Sequence, residues 1–183
     1  QVKRVAYTGN GAIFPRNKFN LPGSPRKNRL TRAANINFTS TTILVTEFAE
    51  VNEWGSIKDQ RERIVSHRPV LPFVGGNSGG DMEMIYDEPD TAGIARFFYP
   101  RRERFLSNAD RGSYLISDAN TSLNAVGRHH PGSGGEFGGT CNYAFVDAHV
   151  ERLNVLDTVD KRLWGDKFYC VTGRNNDIGA DTR

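Results

Sequence analysis

The chain has 183 residues, 37% of them hydrophobic and 19 of them Gly, and its 24 Lys and Arg against 21 Asp and Glu give a net charge of +3. That length fits one domain with a small core and long polar connections, while 11 Phe, 6 Tyr and 2 Trp exclude a wholly disordered chain. The longest apolar run is only a few residues, too short for a membrane-spanning helix, and the opening at Gln1 without Met or a secretory signal reads as a processed or truncated end.

The charge is divided unequally. Lys3, Arg4, Arg16, Lys18, Arg26, Lys27, Arg29 and Arg32 all precede Glu47, the first acidic residue, leaving 16 basic against 21 acidic groups in the remainder. A basic end and an acidic body suit head-to-tail packing of identical subunits. The basic stretch lacks helical amphipathicity and contains Pro15, Pro22 and Pro25, so no nucleic-acid partner is expected.

Val2 to Tyr7 reads as a short strand closed by a Gly9-Asn10-Gly11 turn, and residues 14 to 35 as an irregular basic loop. Ile43-Leu44-Val45 with Phe48 has the β-branched, apolar character of a buried strand. Lys58 to Val65 carries Ile57, Arg61, Ile64 and Val65 at near-helical spacing, which predicts a short surface helix. Met82 to Tyr86, Ile94 to Tyr99 and Tyr114 to Ile116 are the plausible strands of the middle region. Gly75 to Gly80 reads as a flexible loop, with no Lys-Ser/Thr pair to make it a phosphate cradle.

The C-terminal third is more regular. Asn142 to Val146 and His149 to Leu153 flank Asp147-Ala148, a hairpin pattern that pairs Val146 with His149 and sets Phe145 beside Val150. A helix follows, capped by Asn154, with Asp157 in its first turn, Leu156, Val159 and Leu163 on one face, and Gly165 as the stop. Phe168 to Val171 is a last strand, and residues 174–183 are a flexible tail after a single domain over 1–173.

Two cysteines, Cys141 and Cys170, leave two readings open. A disulfide would close a loop of 28 intervening residues and add about 3 kcal/mol, whereas buried thiols would behave as small apolar side chains. His129, His130, Asp147 and His149 form the one cluster with metal-binding chemistry. Asp147 and His149 share a face of an extended strand, His130 supplies a third ligand, and Glu136 is the nearest general base for a His/Asp metal hydrolase. Against that set, Asp147 stands where a turn uses an Asx side chain on its own backbone. Asp166, Asp177 and Asp181, or Asp87, Glu88 and Asp90, offer oxygens to calcium without an EF-hand spacing. Trp54 and Trp164 are the aromatic platforms of a glycan-binding alternative, and the sequons at Asn37-Phe38-Thr39 and Asn120-Thr121-Ser122 are compatible with a secreted chain.

Asn142 to Leu153 resembles the C-terminal signature of the prepilin-type processing-associated family named for its His, nine-residue gap and Asp-Gly motif. Tyr7 to Arg16 is similar to the start of the head in those proteins, Thr41 to Glu47 to one of their strands, Asn124 to Gly132 to the lead-in, and Arg162 to Tyr169 to the stretch that follows. Two departures lie in the motif itself: 16 residues separate His130 from Asp147, and Ala148 replaces the Gly. The resemblance implies an α+β, pilin-like head, mainly antiparallel sheet with a C-terminal hairpin, a short C-terminal helix and long irregular loops. It marks His130, Asp147, His149, Trp164 and Gly165 as motif residues. It further implies a non-enzymatic, extracellular subunit of a type IV pilus or type II secretion pseudopilus, needing no cofactor unless calcium, and packing with copies of itself. The family's apolar N-terminal helix is missing here, so it is read as trimmed away or as supplied by a separate polypeptide, and membrane attachment would come through it alone.

Overall fold

A computed structural model describes residues 7–14, 30–49, 58–59, 69–75, 97–110, 115–116, 121–170 and 178–180. In chain order its strands are β1 (Tyr7–Gly9), β2 (Ile43–Glu47), β3 (Lys58–Asp59), β4 (Val74–Gly75), β5 (Phe97–Tyr99), β6 (Leu115–Ile116), β7 (Cys141–Phe145), β8 (Val150–Leu153) and β9 (Gly179–Ala180). One α-helix among the described residues, α1 (Val155–Asp160), follows β8. The result is an α+β arrangement around a small antiparallel sheet of order β1-β2-β7-β8.

β2 lies in the middle of that sheet because it is the segment best able to be covered on both faces. It is β-branched at Ile43, Val45 and Thr46, with Ile43 and Thr46 buried. Its register against β7 slips between Ile43 and Val45, so Leu44 is an extra residue that bends the strand. β7 alternates, with Cys141, Tyr143 and Phe145 buried and Asn142 and Ala144 half-buried, while β8 forms the exposed margin. β3 pairs with β6 in parallel, and β5 pairs with β4 and β9.

Trp164 and Tyr143 meet edge to face at 6.1 Å in the fully buried centre, with Phe73 edge-on to Tyr99 and Phe168 at 5.2 Å each. The indole N–H of Trp164 donates to Thr158 Oγ1 at 2.8 Å, and the Thr158 hydroxyl donates in turn to the Val155 carbonyl. Asn10 is fully buried. Its Nδ2 donates to the carbonyls of Ile43 and Trp164, and its Oδ1 accepts from the Ala12 N–H, so one side chain ties the turn after β1 to β2 and to the segment beyond α1.

The hairpin differs in register from the sequence expectation. Ala144 faces Val150 and Tyr143 faces Glu151, so the connection holds three residues, Val146-Asp147-Ala148. The Ala148 N–H donates to the Phe145 carbonyl, and the Phe145 N–H donates to the His149 carbonyl. Ala148 takes φ 74°, the left-handed position that a three-residue hairpin loop requires of its last residue. The conformation that favours Gly is therefore kept, and Ala148 holds it at a strain on the order of 1 kcal/mol.

Helix α1 starts on Asn154, whose Oδ1 accepts from the Leu156 N–H at 2.8 Å. It buries Val155 and Thr158, whereas Leu156 and Val159 are only partly covered, so its inward face is rotated from the one expected. The stop comes earlier than Gly165. Arg162 adopts φ 55°, its N–H donates to Val159 and the Leu163 N–H reaches back to Thr158, a left-handed C-terminal cap. Gly165, at φ 97°, turns the chain again beneath the Tyr169 ring.

Other expectations are corrected locally. Lys58–Asp59 is strand rather than the start of a helix, because it pairs with Leu115–Ile116. Phe168 to Cys170 is a buried turn, since the N–H groups of Tyr169 and Cys170 both go to the Ala12 carbonyl instead of a ladder. In the expected tail, Ile178 is buried and Gly179–Ala180 pairs with β5, so that segment is held against the sheet rather than free. Cys141 and Cys170 are separate buried thiols. Cys141 faces Thr46 Oγ1 at 3.3 Å with its pKa pushed up to about 11 by burial, and Cys170 points at the Gly11 carbonyl. The readings on Met82 to Tyr86 and on Gly76 to Gly80 lie outside the described residues.

Candidate functional site

The last residue of β2 is a carboxylate at the end of an apolar strand, and such a group needs partners. Glu47 finds them 83 and 95 residues away. Its Oε2 lies 3.0 Å from His130 Nε2 and accepts from the Asn142 N–H at 2.9 Å, and its Oε1 accepts from Asn142 Nδ2 at 3.0 Å. His129 brings a second Nε2 to within 3.4 Å of the same Oε2. Burial works to raise the pKa of Glu47, but the Asn142 N–H, His130 and the Asn142 amide together outweigh it and hold the carboxyl below its ordinary value.

The frame that positions the two imidazoles is rigid. Beyond β2, the Gly127 N–H donates to the Glu47 carbonyl and the Ala49 N–H to Ala125, continuing the ladder over Ala125 to Gly127. Gly127 leaves room for the His129 ring, since a Cβ there would stand 2.8 Å from His129 Cε1 and push the imidazole aside. Buried Arg128 reaches the opposite way, donating to the Leu106 carbonyl and to Asn124 Oδ1. His130 exchanges both backbone hydrogen bonds with Thr140, which leads into β7. The rings of His129 and His130 sit 4.6 Å apart at 49°, with side-chain exposures of 45% and 33% over a Glu47 side chain at 11%. The ligand atoms of the three residues all lie within 4.8 Å of one another, the one such group among the described residues.

The sequence-derived set of His130, Asp147 and His149 is not assembled. Asp147 and His149 are at the hairpin loop, whereas His130 is at the opposite end of β7, roughly 20 Å away at strand rise. Asp147 instead holds the turn: its Oδ1 accepts from the His149 N–H at 3.2 Å and meets His149 Nδ1 at 2.5 Å. The His149 ring stacks on Phe145 at 4.3 Å, and its Nε2 lies 3.4 Å from Glu151.

That clasp predicts a pH response. The hydrogen bond that His149 donates to Asp147, opposed by desolvation and joined by Glu151, raises the pKa of His149 above 6.5, and the same bond lowers Asp147. The His149 contribution is complete below its unfolded pKa and is lost as pH rises through the folded one. The Asp147 contribution is present above its unfolded pKa and is lost as pH falls through the lowered one. In an NMR titration of the imidazole C–H signals, His149 is expected to titrate above 6.5 and to move down in Asp147→Asn. An unmoved titration would remove the pairing.

The other candidates fare unequally. Trp164 is fully buried with its N–H engaged, so it offers no glycan platform, and Trp54 lies outside the described residues. Asp166 accepts from the Tyr169 hydroxyl at 2.6 Å, and the rest of both proposed calcium sets lies outside the described residues. Glu136 is exposed, with its backbone carbonyl accepting from Asn108. A cleft of about 410 Å³ lies between Arg101–Phe105 and the outer face of α1, rimmed by Arg101, Arg102 and Arg162. Glu47 was absent from the sequence-derived site, although it is the first acidic residue and closes a buried strand. Comparison of the chain with protein-family profiles, with curated proteins and with solved structures found no match.

Proposed function

We propose that the chain is the head of an extracellular, pilin-like structural subunit that acts by packing against copies of itself. The observation that supports this reading best is the placement of the signature segment. Hairpin β7–β8 forms one margin of the antiparallel sheet, so among the described strands β8 has a neighbour on one side only, and Val150 on it is 62% exposed. Such an edge is a template for a further strand or a docking ledge. Glu151 and Arg152, both exposed, add alternating charge along it. The basic segment before Glu47 and the acidic remainder supply opposite signs for repeated contacts, with an apolar helix joined to or docked on the head as the route to a membrane or filament core.

Sedimentation velocity over a range of protein concentrations tests this. Self-association is expected to grow with concentration, to weaken as salt screens the charged surfaces, and to fall in Val150→Lys. A chain that stays monomeric at every concentration, or associates without regard to salt and to Val150, overturns the reading.

A further inference from the structure

We propose that Glu47, His129 and His130 bind a divalent transition-metal ion of the zinc class, with solvent completing its coordination. The inference stands apart from the pilin-like reading and survives its failure. Two imidazoles and one carboxylate form a donor set suited to zinc and its neighbours, and ill suited to calcium or magnesium, which take oxygen ligands.

The donor atoms of the site converge on one carboxylate. His130 Nε2 lies 3.0 Å from Glu47 Oε2, a contact that either a proton on that nitrogen or a cation held between the two atoms can make. Asn142 grips both carboxylate oxygens, its N–H donating to Oε2 and its Nδ2 to Oε1, and so acts as the positioning residue that fixes Glu47.

The spacing agrees. Bonds of 2.0–2.2 Å to zinc place tetrahedral ligands about 3.3 Å apart, and the two imidazole nitrogens stand 3.0 and 3.4 Å from Oε2. The ion would sit at the rim, because His129 is the most exposed of the three and leaves a path for entry. Its chain ligands come from the end of β2 and from the segment bridged to Thr140 at the start of β7, so it would pin that segment to the sheet.

The test uses the full chain stripped by EDTA. Calorimetric titration with ZnCl₂ is expected to give one saturable equivalent, and Co²⁺ to give the visible bands of a tetrahedral site that excess Ca²⁺ leaves unchanged. His129→Ala, an exposed change that spares the fold, is expected to weaken zinc binding on the order of 100-fold without moving the Tm of the metal-free protein. Glu47→Gln is expected to weaken it further, and His149→Ala to leave it intact. Absence of a saturable equivalent overturns the proposal. So does loss of binding in His149→Ala with retention in His129→Ala, which would mark the hairpin clasp as the metal's seat.

Discussion

Trp164→Ala is expected to lower the unfolding free energy by about 4 kcal/mol, enough to drop the Tm of a chain of this size by roughly 10 °C. The indole is fully buried and lies edge to face with Tyr143, so its removal opens a cavity at the contact between the sheet and the segment after α1. The neighbours that limit collapse are tied to the backbone: the Trp164 backbone N–H donates to the Tyr99 hydroxyl, which itself donates to the carbonyls of Arg162 and Gly165. Trp164→Phe keeps a ring in place and loses the bond to Thr158, and is expected to cost about 1–2 kcal/mol. Urea unfolding of the three proteins checks both. A loss below about 1 kcal/mol in Trp164→Ala would show that the aromatic centre does not hold the sheet to α1.

Asn10→Ala follows closely, with an expected loss of about 3 kcal/mol or more. It leaves the carbonyls of Ile43 and Trp164 and the N–H of Ala12 without their side-chain partner in a site closed to water. Asn10→Asp is expected to be worse, because a carboxylate would replace the donating amide against two carbonyl oxygens. Asn10→Leu separates volume from hydrogen bonding: it fills the space and still abandons three polar atoms. Thermal unfolding of Asn10→Leu near the parent Tm would sink this account.

What the sequence disclosed was local. Asn154 caps its helix through a bond two residues long, and Asp147 closes its loop the same way, so both could be read from neighbours alone. The strand at Ile43 declared itself through β-branching. Where the rules favour Gly, the chain defied them: Ala148 and Arg162 hold left-handed backbone, which shifted the hairpin register and moved the helix stop away from Gly165. The candidate site was hidden because its parts are far apart in the chain. Nothing near Glu47 announces an imidazole, and nothing near His130 announces a carboxylate. The nearer Asp147 looked like the natural partner and lies at the wrong end of β7. An acidic side chain ending an apolar strand was the usable signal, since burial obliges such a group to recruit something polar.

The position of Asn10 bears on how the molecule is made. The side chain that reaches Trp164, 154 residues further on, can bind that partner only after the residues between them have been synthesised. β2 likewise waits for β7 to cover its second edge, so an emerging chain carries that apolar strand paired on one side only until β7 has been made. Sheet closure that depends on such distant partners is slow. The early part of the chain is therefore dependent on the late part, and a nascent polypeptide stalled before β7 lacks the strand that completes the β1-β2-β7-β8 sheet.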